Sequence, residues 1–306
     1  MESGVMDHPR SIVFLGDSIT HQGRYLRFLA EHFALNAPET GVRLWNAGVG
    51  GDRTDLCIVR LARDVDAHRP EAILVLLGMN DCMSDAVRDA FEANFAALSA
   101  RLKSANSQST FLWATPTPYD SEVEASAGDG PHPERAAALE RYAAFIRAWQ
   151  KREGGTLVDF HSPMVAFNRA AQKTNPSFSL CGPDRVHPQE PGGYFMARVF
   201  LRDAGFLPWY EPESVAVLEA EMAKWRGSHS TPACREAARR AEAEAEGRTL
   251  HMIRWQLEVL QHRDADDFVA LEALERSFEG RHGEFEDRVR RYLREWPRPE
   301  ECHGKC

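Results

Sequence analysis

A serine, a histidine, a carboxylate and two hydrogen-bond donors occur in this chain at spacings that suit nucleophilic catalysis. Ser18 lies in a Gly-Asp-Ser turn, and Asp184 precedes His187 by three residues. That spacing lets the carboxylate hold the imidazole in one tautomer while the other ring nitrogen reaches a serine. A nucleophilic serine also needs donors for the oxyanion that develops on the substrate. The backbone N–H of Gly51 and the side-chain amide of Asn80 are candidates for these donors.

Alternating strand and helix patterns predict an α/β fold that would bring these residues together. We expect strands at residues 11–15, 42–45, 72–77, 110–114 and 156–159, and helices at 24–35, 54–67, 85–103, 134–150 and 191–201. Such alternation implies a parallel sheet with helices on both faces. Ligands bind beyond the C-terminal ends of parallel strands. Ser18, Gly51 and Asn80 follow the first three strands, so we expect them at one edge of the sheet.

Four short blocks that contain these residues resemble those of the SGNH (GDSL-type) hydrolase family. The blocks are residues 16–18 (GDS), Asn46 with Gly48 and Gly51, residues 78–81 (GMND) and residues 184–187 (DRVH). Their order matches the family across roughly residues 11–205, and Ile19 stands where the family name has leucine. The resemblance implies a three-layer, flavodoxin-like parallel sheet.

The resemblance also implies a serine esterase that works through an acyl-enzyme intermediate. Ser18 would be the nucleophile, His187 the general base and then acid, and Asp184 the residue that orients His187. The backbone N–H groups of Ser18 and Gly51 and the side chain of Asn80 would form the oxyanion hole. Neither a metal ion nor a cofactor is implied.

Among ester substrates, the sequence favours a small acyl group, and we expect an O-acetyl group on a carbohydrate. The chain is acidic and polar, and no long apolar segment indicates the lid of a lipase. A lysophospholipase or thioesterase of the same fold is the alternative. A further alternative is a non-catalytic helical interaction protein built on the same scaffold.

Composition excludes some partners and predicts a second part of the chain. The net charge of −9 argues against nucleic-acid binding, and no apolar run is long enough to span a membrane. Residues 1–10 lack the pattern of a signal peptide and the six cysteines are scattered, which favours a cytoplasmic protein. Charged residues are denser after residue 211. We therefore predict a catalytic domain at 1–211 and a C-terminal α-helical extension at 212–306. The amphipathic helices of this extension would either pack on the α/β domain or form a homo-oligomer.

Four residues near the predicted site have competing interpretations. Asp17 is expected to brace the turn rather than react. His21 either lines the pocket or is a partly exposed residue of the first helical turn. Arg53 and Arg185 either meet an anionic substrate or, as is more common, are solvated or ion-paired side chains.

Overall fold

The computed structural model describes residues 9–83, 85–124, 130–207 and 212–227. Five strands of the described residues form one sheet: β1 (Ser11–Gly16), β2 (Arg43–Gly48), β3 (Ala72–Leu76), β4 (Thr110–Ala114) and β5 (Thr156–Val158). All neighbouring strands are parallel, in the order β2-β1-β3-β4-β5. This is the flavodoxin-like order, so the predicted α/β fold class is confirmed.

Helices connect and follow these strands. They are α1 (Ser18–His21), α2 (Arg24–Leu35), α3 (Leu61–Asp64), α4 (Met79–Met83), α5 (Asp85–Arg88), α6 (Phe91–Ala105), α7 (Pro133–Glu153), α8 (His161–Gln172), α9 (Glu190–Asp203) and α10 (Val215–Gly227). Short 3-10 turns cover Pro38–Thr40, Cys57–Arg60 and Asp66–His68. Among the described helices, none is long and apolar enough to cross a membrane.

The sheet is covered on both faces, as the apolar strand sequences predict. Successive residues of a strand point to opposite faces, and the register across β3 aligns Phe14 of β1 with Leu112 of β4. Trp113 therefore lies on the face opposite to Phe14. The ring of Phe14 packs against Tyr25 of α2, whereas Trp113 packs against Phe95 of α6. Helices on each face thus bury the sheet and leave its edge of C-terminal strand ends for the site.

Three predicted connections differ from the structure. The helix predicted at 54–67 is wrong: the segment contains two 3-10 turns and the single turn α3. The backbone of Val65, with a φ of −125°, departs from helical geometry, and the side chains of Thr54 and Arg60 are hydrogen-bonded to Asp81 and Gly16 outside this segment. The helix predicted at 85–103 is divided into α5 and α6, and α8 was not predicted.

Residues 215–227 pack against the α/β layers. The side chains of Leu218 and Met222 are buried. Trp225 donates from its indole Nε1 to Glu31 Oε2 at 2.8 Å and stacks on the ring of His32. The predicted boundary at 211/212 stays a prediction, because residues 228–306, which hold most of the proposed extension, lie outside the described residues.

Candidate active site

A chain of hydrogen bonds joins Ser18, His187 and Asp184. Ser18 Oγ lies 2.8 Å from His187 Nε2, and His187 Nδ1 lies 2.6 Å from Asp184 Oδ2. The other carboxylate oxygen, Asp184 Oδ1, accepts the backbone N–H groups of Val186 at 3.0 Å and His187 at 2.9 Å. Partial burial raises the pKa of Asp184, but the hydrogen bonds from His187 and from the two backbone N–H groups outweigh burial and lower that pKa to about 2. Asp184 is therefore ionised at neutral pH.

The turn between β1 and α1 places the Ser18 hydroxyl at the edge of the sheet. Asp17 caps α1, and its Oδ1 accepts the backbone N–H of Ile19 at 3.0 Å. A side chain on Gly16 would collide with the Thr20 side chain and approach the carbonyl oxygen of Leu76, so this tight turn requires glycine. The expectation that Asp17 braces the turn agrees with this contact.

Two of the candidate oxyanion donors, Gly51 and Asn80, are connected through the loop that follows β2. Gly51 is exposed and has a φ of +79°, a conformation that favours glycine. The Asn80 side chain, in the first turn of α4, donates through Nδ2 to the carbonyl oxygen of Asp52 at 2.9 Å. Because an amide nitrogen carries two hydrogens, this bond orients the Asn80 amide and leaves one hydrogen for a substrate.

His21 is a buried residue, so its interpretation as a partly exposed residue of the first helical turn is wrong. Its side chain is 1% exposed, and its Nδ1 accepts the backbone N–H of Gly50 at 3.1 Å. Burial, and then the positive charge of Arg60, lower the pKa of His21 to about 4. The imidazole is therefore neutral at neutral pH, with Nδ1 as acceptor and the proton on Nε2.

Arg60 is a buried residue of the site that sequence reasoning missed. Its guanidinium donates to Asp52 Oδ2 at 2.6 Å and to Asp64 Oδ2 at 3.0 Å. It also donates to the carbonyl oxygens of Gly16 at 3.2 Å and Ala47 at 2.8 Å. Arg60 thus joins the ends of β1 and β2 to the loop that carries Gly51. In the sequence its signal is an Arg-Asp pair at i,i+4, which is also typical of solvated helices.

Asn46 and Asp81, both within the family-like blocks, hold neighbouring loops. Asn46 Nδ2 donates to the carbonyl oxygen of Thr20 at 2.8 Å, and its Oδ1 accepts the N–H of Gly48 at 2.9 Å. The Asp81 carboxylate accepts the backbone N–H of Thr54 at 3.2 Å and its hydroxyl at 2.5 Å. Burial raises the pKa of Asp81 to about 6 despite these bonds.

The two arginines considered for an anionic substrate have other partners. The buried Arg185 donates to the carbonyl oxygens of Asp120 at 3.0 Å and Val123 at 2.7 Å. It is therefore not a solvated side chain, and it forms no ion pair with the described residues, which corrects the expectation. Arg53 forms an ion pair with Asp55 at 3.0 Å.

Cysteine and metal chemistry have no support among the described residues. Cys82 Sγ donates to the carbonyl oxygen of Met79 at 3.0 Å, and Cys181 Sγ donates to that of Pro118 at 3.1 Å. Both thiols are buried, and burial raises the pKa of each far above the physiological range. Within the described ranges, no group of three or more His, Cys, Asp and Glu side chains is arranged to hold a metal ion.

Comparison with known proteins adds a family and several relatives. The model of the GDSL-like lipase/acylhydrolase family matches residues 14–193, a range that includes every candidate site residue. An acetylxylan esterase of Geobacillus stearothermophilus is 25% identical over 220 residues, which cover 64% of this chain and 94% of that protein.

Solved structures share the fold. A gut microbial diltiazem-metabolizing enzyme has 28% identity and a TM-score of 0.59 over 65% of this chain, but the match spans 47%, or about half, of that structure. A variant of an acetyl xylan esterase from Geobacillus stearothermophilus has 24% identity and a TM-score of 0.55, and the match covers 67% of this chain and 100% of that one.

Proposed function

The chain belongs to the GDSL-like lipase/acylhydrolase family, and from this premise we propose that it is a carbohydrate O-acetylesterase that uses Ser18, His187 and Asp184. Family membership and the esterase relatives make it a serine hydrolase that acts on ester bonds. The observation that carries the residue assignment is the continuous hydrogen-bond chain from Ser18 Oγ through the imidazole to the Asp184 carboxylate.

Acylation follows from this geometry. His187 Nε2 accepts the proton of the Ser18 hydroxyl as Oγ attacks the ester carbonyl carbon. The ionised Asp184 holds the Nδ1–H and stabilises the imidazolium that forms. Nε2–H then protonates the alcohol oxygen as the intermediate collapses. The bond between the carbonyl carbon and that oxygen breaks, the C=O bond re-forms, the alcohol leaves, and an acyl-enzyme on Ser18 remains.

The oxyanion of the tetrahedral intermediate would be stabilised by three donors. These are the backbone N–H groups of Ser18 and Gly51 and the remaining amide hydrogen of Asn80. Ser18 follows β1 and Asn80 follows β3, the two strands that flank the point where the strand order reverses. Open α/β sheets bind ligands at that switch point.

Deacylation requires a water molecule next to His187 and the acyl group on Ser18. The side chains of His187 and Asp184 are 27% and 37% exposed, so solvent reaches the imidazole. Water that loses a proton to Nε2 attacks the acyl carbonyl, and Ser18 leaves as the hydroxyl with the proton from Nε2. No group other than those of the first half-reaction is needed.

A small acyl group on a polar alcohol is supported by the relatives and by the rim of the site. The similarity to acetylxylan esterase spans nearly all of that protein. Next to the site, Arg24 donates to Gln22 Oε1 at 2.6 Å and to the carbonyl oxygen of Pro188 at 2.8 Å, so this rim is polar. A long acyl chain would instead need apolar surface to bury each methylene group. Family membership also favours an enzyme over the non-catalytic alternative.

Ester hydrolysis over a series of acyl chain lengths tests the proposal. We expect the highest kcat/KM on p-nitrophenyl acetate, and release of acetate from acetylated xylo-oligosaccharides. Ser18→Ala should lower kcat by more than about 10³-fold, with unchanged thermal unfolding. Preference for octanoate or longer esters would favour the lysophospholipase or thioesterase alternative. A folded Ser18→Ala variant with full activity would exclude Ser18 as the nucleophile.

A further inference from the structure

A hydrogen bond links the turn that carries the nucleophile to the loop that carries an oxyanion donor. The buried His21 accepts the backbone N–H of Gly50 through Nδ1 at 3.1 Å. We propose that His21 is a positioning residue for the oxyanion hole, which holds Gly50 and hence the Gly51 N–H at a fixed distance from Ser18. This inference deepens the proposed function and rests on it.

The imidazole of His21 is attached rigidly to the turn of the nucleophile. His21 N–H donates to the carbonyl oxygen of Asp17 at 2.9 Å, and Gln22 N–H donates to that of Ser18 at 2.9 Å. A Cβ on Gly48 would collide with the backbone of His21, so the end of β2 lies directly against this turn. Any change in the position of the Nδ1 acceptor therefore moves Gly50 relative to Ser18 itself.

The loop around Gly51 is held on both sides, and His21 supplies the bond next to it on the β2 side. Before the glycine pair, Val49 N–H donates to the carbonyl oxygen of Gly16 at 3.0 Å. After it, Asp52 is held by Arg60 and Asn80. Gly50 and Gly51 have no side chains of their own to restrict their backbones. Oxyanion donors must lie within a few tenths of an ångström of their productive position, so this bond is well placed to affect the rate.

The protonation state and the contacts of the His21 imidazole favour a role for Nδ1 as a hydrogen-bond acceptor. Among the described residues, Nε2 has no hydrogen-bond partner, although the side chain is buried. A buried N–H without a partner is destabilising, and an apolar side chain of similar volume would avoid it. The low pKa of His21, caused by burial and by Arg60, keeps Nδ1 unprotonated and able to accept.

Two amide variants of His21 distinguish its role as a hydrogen-bond acceptor from an effect of packing alone. Asn places its Oδ1 at the same number of bonds from Cβ as Nδ1 of histidine, whereas Gln places its carbonyl oxygen one bond farther, where Nε2 lies. We expect His21→Asn to retain most of kcat, and His21→Gln to lower kcat by about 10-fold or more with KM unchanged. Loss of a merely structural contact would lower the melting temperature of both variants without separating their kcat values.

His32→Gln is the matched control, because His32 is also a buried histidine but packs on Trp225, away from Ser18. We expect this control to keep kcat.

Equal kcat values for the folded Asn and Gln variants of His21 would overturn the inference. If His21→Gln does not fold, His21→Asn still tests the inference. A folded Asn variant with kcat reduced about 10-fold would contradict the positioning role of His21. Ser18→Ala, measured alongside, distinguishes failure of this inference from failure of the proposed function. An active Ser18→Ala variant would contradict both. If Ser18→Ala is inactive, the His21 variants test the positioning role alone.

Discussion

At the scale of single residues, the nucleophile has a buried carboxyl group as its neighbour. The Asp17 side chain is 1% exposed, and burial raises its pKa to about 7, although the bond from Ile19 N–H and the nearby His187 act in the opposite direction. Asp17 therefore carries little charge over much of the range in which its unfolded counterpart is ionised. Its cap on α1 needs only an acceptor oxygen, not a charge.

Asp17 should make the stability of the protein depend on pH. The unfolded carboxyl titrates near 3.8 and the folded one near 7, so between these values the folded state binds the extra proton. The free energy of unfolding contributed by Asp17 therefore falls as pH rises through this window. Asp17→Asn keeps the capping oxygen but cannot ionise. We expect its melting temperature, relative to wild type, to be higher near pH 8 than near pH 4. The same difference at both pH values would contradict this assignment.

Asn80 should contribute to the rate rather than to binding. Removing one oxyanion donor costs about 10²–10³-fold in kcat, and we expect this loss for Asn80→Ala with little change in KM. Steady-state kinetics on p-nitrophenyl acetate measures it, and thermal unfolding controls for the lost bond to Asp52. Unchanged kcat in the folded variant would exclude Asn80 from the oxyanion hole.

At the scale of elements, one buried cation joins the ends of two strands to the loop after them. Arg60 follows that loop, yet its guanidinium lies beneath it, between the carbonyl oxygens of Gly16 and Ala47 and the carboxylates of Asp52 and Asp64. The position of this segment, predicted as part of a helix at 54–67, therefore depends on groups that lie outside it in the sequence.

Arg60→Met should destabilise the protein strongly. The change removes the buried cation that pairs with Asp52 and Asp64, although Asp64 keeps its ion pair with Arg63 at 3.1 Å. Removing one partner of a buried ion pair costs about 3–5 kcal/mol. Denaturant unfolding measures this loss, and kcat should fall with it because Asp52 no longer holds the loop. Lys103→Met is the control, since its ion pair with Glu153 is partly exposed and should contribute little to stability. Similar losses in the two variants would contradict the buried network.

At the scale of the whole molecule, α10 extends the layer formed by α2 and α9. Trp225 contacts Glu31 and His32 of α2 and the ring of Tyr194 of α9. Leu218 is fully buried. The part of the predicted extension that the structure describes therefore packs on the α/β layers.

Two truncations measure what this packing contributes. A chain that ends after residue 211 lacks α10, whereas one that ends after residue 227 keeps it. Loss of the buried Leu218 and Met222 side chains should make the shorter chain less stable than the longer one by about 3 kcal/mol. Denaturant unfolding of both measures the difference. Equal stability would show that α10 contributes nothing to the α/β layers.

The strands, and the proximity of the three residues expected to react, are the features that the sequence predicts best. Apolar runs such as residues 72–77 are local patterns, and helix 24–35 was predicted at the bounds of α2 because its buried side chains recur at helical spacing. The structure brings Ser18, His187 and Asp184 together, as their blocks predict. The prediction of a helix at 54–67 is wrong because residues of this segment bond to distant parts of the chain, and a local sequence pattern contains no information on such contacts.

The sequence by itself determined the order of the five strands and indicated the residues able to do chemistry, because hydrophobic periodicity and short motifs lie within a few neighbouring positions. Only the tertiary structure decided what holds them. His21 and Gly50 are 29 residues apart, and Arg60 and Gly16 are 44 residues apart. A histidine or an arginine can be a solvated side chain or a buried side chain that links two segments. The fold decides between these, because burial and the groups nearby set both the charge of the side chain and its hydrogen bonds.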